Sequence, residues 1–259
     1  MKCSGLLRGF GFGLLFTVLF ASTLTAAPAP IIAVASNLRI VIEEVAQIFY
    51  KETGQKVRFS FGSSGNLTRQ IIQGAPFEMF MSADEGYVFR VFDAGKAKGR
   101  GKIYAYGRIA AFAPKGSPLQ QADFPGGYLA LLEGGIGGRF AIANPQLAPY
   151  GRAAKQALEH AGLWQSMQPR LIYGENISQT AQFALSGSTL GGIIAYAQAL
   201  SLPFKDRGNY QLIPASFHKP LAQRMVLLSK AGDTAKRFYD FIGEKSALEI
   251  FNKYGFTVQ

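Results

Sequence analysis

The chain has 259 residues, with 27 lysines and arginines against 16 aspartates and glutamates, and a formal net charge of +11 at pH 7. That length suits one large or two medium domains with a sizeable core. The basic residues are scattered (Lys51, Arg69, Arg90, Lys115, Arg139, Arg170, Lys205) and form no stripe of the kind that tracks nucleic acid or an anionic membrane, so neither is an expected partner.

At the amino end Lys2 and Arg8 precede an apolar run over 10–21 and small residues over 22–29. This is the order of a secretory signal peptide, placed at residues 1–27 with cleavage between about 25 and 29. Its apolar run is shorter than the roughly 20 residues a membrane-spanning helix needs, and no later run reaches that length. The only cysteine, Cys3, lies in this segment, so the mature chain carries no thiol into an oxidising compartment. The expectation is a soluble protein exported to the periplasm.

Further on, strands and helices alternate. Residues 31–35 read as a buried strand and 38–53 as a helix, with Val41, Val45, Ile48 and Phe49 at helical spacing before the stop at Gly54. A strand at 57–61, a helix at 66–73, a strand at 78–82 and a helix at 84–94 follow. Residues 103–113 read as one long apolar strand. The glycine-rich stretch 126–138 reads as loop with one helical turn. Strands at 140–143, 171–173 and 192–196 alternate with helices at 151–162 and 177–185. Strands near 212 and over 222–229 lead to closing helices at 234–242 and 246–254. The alternation predicts α/β layers around largely parallel sheets. Long strands at 103–113 and 221–229 separate two βα runs and predict two lobes joined by two crossovers. Lobe one would hold 30–111 plus 218–259, and lobe two 112–217. Ligands of such sheets bind beyond the carboxyl ends of the strands, which directs attention to a cleft between the lobes.

Four junctions share one design, an apolar strand, a short polar turn and a helix: 35–37 (Ala-Ser-Asn), 62–65 (Gly-Ser-Ser-Gly), 148–151 (Ala-Pro-Tyr-Gly) and 174–178 (Gly-Glu-Asn-Ile-Ser). The first N–H groups of a helix lack internal partners and carry partial positive charge, so several such ends together make an anion site without a cationic side chain. Taken singly, each junction reads first as a plain cap, since Ser and Asn are common N-caps and Gly serves tight turns.

Chemistry by the chain itself is not expected. There are two histidines, His160 and His218, and no G-x-S-x-G elbow, so a serine nucleophile has no evident base. No H-x-x-x-H pair or cysteine cluster suggests zinc. Iron held by clustered tyrosines is a rival reading through Tyr150, Tyr173 and Tyr196, although no two tyrosines are adjacent.

The wording and order of the junctions resemble one family, the periplasmic molybdate-binding proteins. The resemblance runs through AVASNL (33–38), FGSSGNLTRQI (61–71), GAPFEMFMSAD (74–84), IANPQLAPYGRAA (142–154), YGENISQ (173–179), GGIIA (191–195) and IFNKYGF (250–256). It implies a two-lobed periplasmic-binding-protein (Venus-flytrap) clamp that carries molybdate or tungstate to the membrane permease of an ABC importer. Such a clamp works as a monomer, without enzyme activity or cofactor, and its molybdenum is present only as bound oxyanion with no direct protein–metal ligand. By motif, Ser36 and Ser64 donate hydroxyl and backbone hydrogen bonds, with Asn37 adding a backbone N–H. Tyr150 and Ile177 contribute from the second lobe, Ile177 through its backbone, and Ser63 is a weaker candidate. One branch of the family has a tyrosine where this chain has Ala195. Tyr196, one position on, would face away if that strand is regular. Glu78 replaces the family's usual aspartate, at a position outside the site loops.

The residue types suit such a ligand. Molybdate is a fully deprotonated dianion that only accepts hydrogen bonds, so a matched site presents donors. Hydrogen phosphate keeps a proton and calls for an acceptor, and Glu175 is the one carboxylate within the four junctions. Its orientation therefore bears on phosphate, while sulfate differs from molybdate only in size.

Overall fold

Strand alternation sorts the side chains of two separate sheets onto helices that cover both faces of each. The computed structural model describes residues 28–258, so the signal-peptide reading of residues 1–27 lies outside them. The first sheet takes β1 (Ile31–Ala35), β2 (Arg58–Gly62), β3 (Met79–Ser82), β4 (Lys102–Gly107) and β10 (Leu221–Leu227) in the order β2-β1-β3-β10-β4. The second takes β5 (Ile109–Pro114), β6 (Phe140–Ala143), β7 (Leu171–Gly174), β8 (Gly191–Ala195) and β9 (Gly208–Leu212) in the order β7-β6-β8-β5-β9.

Successive residues of a strand point to opposite faces. In β1, Ile32 and Val34 pack on α1 (Arg39–Thr53), α10 (Asp233–Phe241) and α11 (Lys245–Lys253), while Ala33 packs on α2 (Ser64–Ile72) and α3 (Glu85–Asp93). In β5, Ile109, Ala111 and Ala113 share a core with α4 (Gly126–Glu133), α5 (Pro149–His160) and α6 (Trp164–Met167). Its Ala110 and Phe112 meet α7 (Ile177–Leu185), α8 (Tyr196–Ala199) and α9 (Leu202–Lys205). The closing helices thus return to the first sheet, where the rings of Phe238 and Phe241 stand edge-on to Phe49 at 5.1 and 5.2 Å. Among the described residues no helix is long and apolar enough to cross a membrane.

The chain passes between the sheets twice. The single strand expected over 103–113 is two strands divided at Arg108, since β4 ends in one sheet and β5 begins in the other. Gly107 and Arg108 interrupt the apolar run at this point, but one glycine and one charge do not by themselves reveal that a strand changes sheets. The return passage runs from β9 to β10, and the Arg108 guanidinium donates to the Ile213 carbonyl at 3.2 Å, tying the two passages together. The sheets are mixed rather than largely parallel. β1 pairs in parallel with β2 and β3, and β6 with β7 and β8, but β5 and β10 run antiparallel to both neighbours because they arrive from the opposite lobe.

Two further differences concern local propensity. Residues 126–133 form a full helix, α4, whose Tyr128 and Leu132, four apart, are buried. Strand β8 ends at Ala195, and Tyr196 opens α8 with its ring 5.9 Å from that of Tyr210.

Phe238 is fully buried between α1 and the first sheet. Truncation by Phe238→Ala should cost about 3–5 kcal/mol of unfolding free energy, read as a lower urea midpoint.

Candidate functional site

The polar junctions lie at the carboxyl ends of β1, β2, β6 and β7, and each delivers the chain into a helix start. Ala35 and Gly62 are paired neighbours in the first sheet, as are Ala143 and Gly174 in the second, so each lobe presents two junctions side by side.

Capping disposes of all but one of the early N–H groups in each of three helices. At the start of α2, Gly65 N–H donates to the Leu147 carbonyl at 2.9 Å, Asn66 N–H to Ser63 Oγ at 3.3 Å and Leu67 N–H to the Ser63 carbonyl at 3.0 Å. Only the first residue, Ser64, keeps an unspent N–H. In α7 the Asn176 side chain accepts from Ser178 N–H at 3.0 Å and Gln179 N–H at 3.1 Å, and its carbonyl accepts from Thr180 N–H, which leaves Ile177. In α5 the first residue is Pro149, which has no N–H, and Gly151 and Arg152 both donate to the Ala148 carbonyl, which leaves Tyr150. A 3-10 turn, Ser36–Leu38, supplies the fourth start. Unpaired N–H groups at helix starts concentrate partial positive charge.

Contacts between the lobes bring these starts together. Ser36 Oγ lies 3.2 Å from Asn176 Oδ1, and Ser178 Oγ donates to the Ser36 carbonyl at 3.0 Å. Asn37 Nδ2 donates to Tyr150 Oη at 3.4 Å, and Gly65 reaches Leu147 as above. Ser36, Asn37, Ser63, Ser64, Tyr150 and Ile177 are all at most 4 % exposed. Ser64 Oγ accepts the Ala83 N–H at 3.0 Å, so its proton is free to be given away. Asn176 Oδ1 already holds two backbone donors, so the Ser36 hydroxyl is free to rotate toward a better acceptor. Ser63 spends its oxygen on capping α2. The hydroxyl of Tyr150 accepts from Asn37 and, at 3.0 Å, from Gln223 Nε2. Burial pushes its pKa well above the ordinary phenol value, against the opposing pull of those two bonds.

Sequence reasoning missed Gln223, which is completely buried and also accepts from Tyr104 Oη at 2.9 Å and Asn37 Nδ2 at 3.0 Å. The signal was available. Leu221, Gln223 and Met225 are the buried phase of β10, and a glutamine in an apolar phase calls for partners.

A model of the family described as bacterial extracellular solute-binding protein matches residues 31–257. The chain belongs to that family. It is 35% identical over 238 residues to the molybdate-binding protein ModA of Rhodobacter capsulatus, covering 90% of each chain. Its identity to the molybdate-binding protein ModA of Azotobacter vinelandii is 31% over 231 residues, with 88% of this chain and 89% of the relative covered. The solved Azotobacter vinelandii periplasmic molybdate-binding protein superimposes with a TM-score of 0.81 at 29% identity, over 89% of this chain and 99% of that one.

In this solute-binding protein several sequence candidates do not join the buried donors of the junction seam. Glu175 is exposed, and its carboxylate accepts from Asn66 Nδ2 across the lobes. Tyr173 is 45 % exposed and Tyr196 packs on Tyr210, so neither joins Tyr150. Backbone N–H of Ala195 donates to Gln198 Oε1 at 3.2 Å, so this position braces the start of α8. Glu78 accepts from Gly232 N–H at 2.7 Å, well away from the junctions. Nearer the seam, Arg152 of α5 pairs with Asp84, the cap of α3, and its guanidinium lies 5.3 Å from the Tyr87 ring centroid. Burial raises the Asp84 carboxyl, opposed by the Tyr87 N–H and the Arg152 charge.

Close approach at the first passage depends on a missing side chain. A Cβ on Gly107 would stand 2.2 Å from Tyr150 Oη and 2.5 Å from Gln223 Nε2. Gly107→Ala should therefore weaken ligand affinity at least about tenfold by displacing the Tyr150 hydroxyl, which calorimetric titration would register.

Proposed function

We propose that this chain is a periplasmic carrier that encloses molybdate, or the similarly sized tungstate, and hands it to the membrane permease of an ABC importer. The observation that carries the reading is the donor inventory at the interlobe seam. Helices α2, α5 and α7 each retain one early N–H, on Ser64, Tyr150 and Ile177, and the hydroxyls of Ser36, Ser64 and Tyr150 add protons beside them. Asn37 contributes a backbone N–H from the same turn as Ser36, and Ser63 supports α2 as its cap. Such a set matches a ligand that offers acceptors only. It compensates a dianion through partial charges and avoids burying a lysine or arginine against it.

Two relatives named for molybdate, each matched over nearly the whole chain, support the same ligand. Glu175 turns outward to Asn66, so it offers no acceptor to the proton of hydrogen phosphate, and the separated tyrosines offer no iron cluster. Sulfate is the remaining competitor, and its shorter bonds would leave donors on opposite lobes stretched.

The mechanism follows from the two passages. Each lobe carries part of the donor set, so an anion bound to one lobe becomes fully coordinated only when the other closes over it. The closed form is then held by ligand bonds together with Gly65–Leu147, Ser178–Ser36 and Asp84–Arg152. The lobes divide at Arg108 and again between β9 and β10. We assign the working unit as a monomer with no catalytic residue and no resident cofactor.

The first test is a thermal-shift panel on the mature protein with molybdate, tungstate, sulfate, phosphate and ferric citrate at equal concentration. A ligand at 100 times its dissociation constant adds about 2.7 kcal/mol, enough to raise the midpoint by several degrees. Shifts with molybdate and tungstate alone are expected, and a shift only with phosphate or ferric citrate would refute the assignment. By calorimetry, Ser64→Ala should lose about 1–3 kcal/mol of binding free energy, the usual consequence of removing one partner of a buried polar contact.

A further inference from the structure

We propose that Gln223 is the positioning residue that commits the Tyr150 hydroxyl to donating toward the bound anion, and so biases the site against oxyanions that carry a proton. The inference rests on the oxyanion reading above and assigns a selectivity role to a residue of the passage strand β10.

A phenol hydroxyl has one proton and two acceptor positions. Both acceptor positions of Tyr150 are taken, by Gln223 Nε2 at 3.0 Å and Asn37 Nδ2 at 3.4 Å, and among the described residues no acceptor meets its proton. Gln223 Oε1 accepts from Asn37 Nδ2 at 3.0 Å and faces Tyr104 Oη at 2.9 Å, whose single proton the Ser82 carbonyl at 3.1 Å also attracts. The register of β10 against β4 shifts at this point, with Gln223 opposite Ala105, Arg224 opposite Ile103, and Tyr104 left over. A bulge of this kind re-aims a side chain, and here the extra residue is the one that orients Gln223. Tyr150 Oη and Gln223 Nε2 approach Gly107 so closely that no side chain fits at that position.

Deprotonated molybdate accepts the Tyr150 proton. A hydrogen-bearing anion placed with its own hydroxyl at that point would meet proton against proton, and would have to turn an unpaired donor into a buried site.

The test uses the mature protein with two tetrahedral dianion probes, molybdate and hydrogen arsenate, at a mildly alkaline pH where arsenate keeps one proton. Because both probes carry the same charge, any charge introduced by mutation cancels in their affinity ratio. Gln223→Glu puts an acceptor where Tyr150 now finds a donor, and draws its proton away from the ligand. The molybdate-to-arsenate ratio should then fall about tenfold or more, and Gln223→Met should lower it by a smaller factor. In a Tyr150→Phe background neither change should move the ratio by more than about twofold, because Gln223 acts through the hydroxyl. Wild-type selectivity in Gln223→Glu, or an equal loss with and without the Tyr150 hydroxyl, would overturn the proposal. If thermal unfolding shows that Gln223→Glu does not fold, Gln223→Met in the two backgrounds carries the same comparison. Failure of the unmutated protein to bind molybdate would instead refute the carrier reading.

Discussion

Three helix starts at one buried seam leave three backbone N–H groups unspent, and this shortage of acceptors is the constraint around which the rest of the structure is arranged. A buried, unpaired donor is costly in an empty protein. It becomes favourable only when an acceptor of the right shape arrives, so affinity and the closed arrangement of the lobes are linked. Caps from Ser63 and Asn176, the proline that opens α5 and the carbonyls of Ala148 and Leu147 remove the other early donors. What remains is a small set with defined directions rather than a diffuse positive region.

The same economy explains why a chain of net charge +11 keeps cationic side chains out of the donor set. Arg152 is paired with Asp84 and lies over Tyr87, where it joins one lobe to the other. Its charge is answered by a carboxylate. The passage strands complete the arrangement, because Tyr104 and Gln223 link the hinge region to the Tyr150 hydroxyl through buried hydrogen bonds.

Much of this was legible before any coordinates. Periodicity placed β1, β6 and α7 within a residue of their observed limits, because β1 and β6 are clean apolar runs and α7 opens at the Asn176 cap. The starts of α2 and α5 were read two residues late, because Ser64 and Pro149 sit where capping and helix merge. The division at Arg108 was not legible. The residues on either side of it are equally apolar, and hydrophobic pattern reports burial without reporting which sheet provides it. Gln223 escaped for a related reason: its role depends on a one-residue bulge at Tyr104, which is a property of two strands together.

Sequence alone determined the alternation of strands and helices, the four polar junctions and the family wording that ties them to one kind of ligand, because local hydrogen-bonding chemistry and apolar spacing are written residue by residue. Tertiary structure decided which donors remain available. Gly65 spends its N–H on Leu147, 82 positions away, Glu175 turns to Asn66, and Tyr150 receives two amides from a turn and a strand of the other lobe. A donor is free or spent according to what lies within about 3 Å of it, and at these positions the neighbour comes from a distant part of the chain.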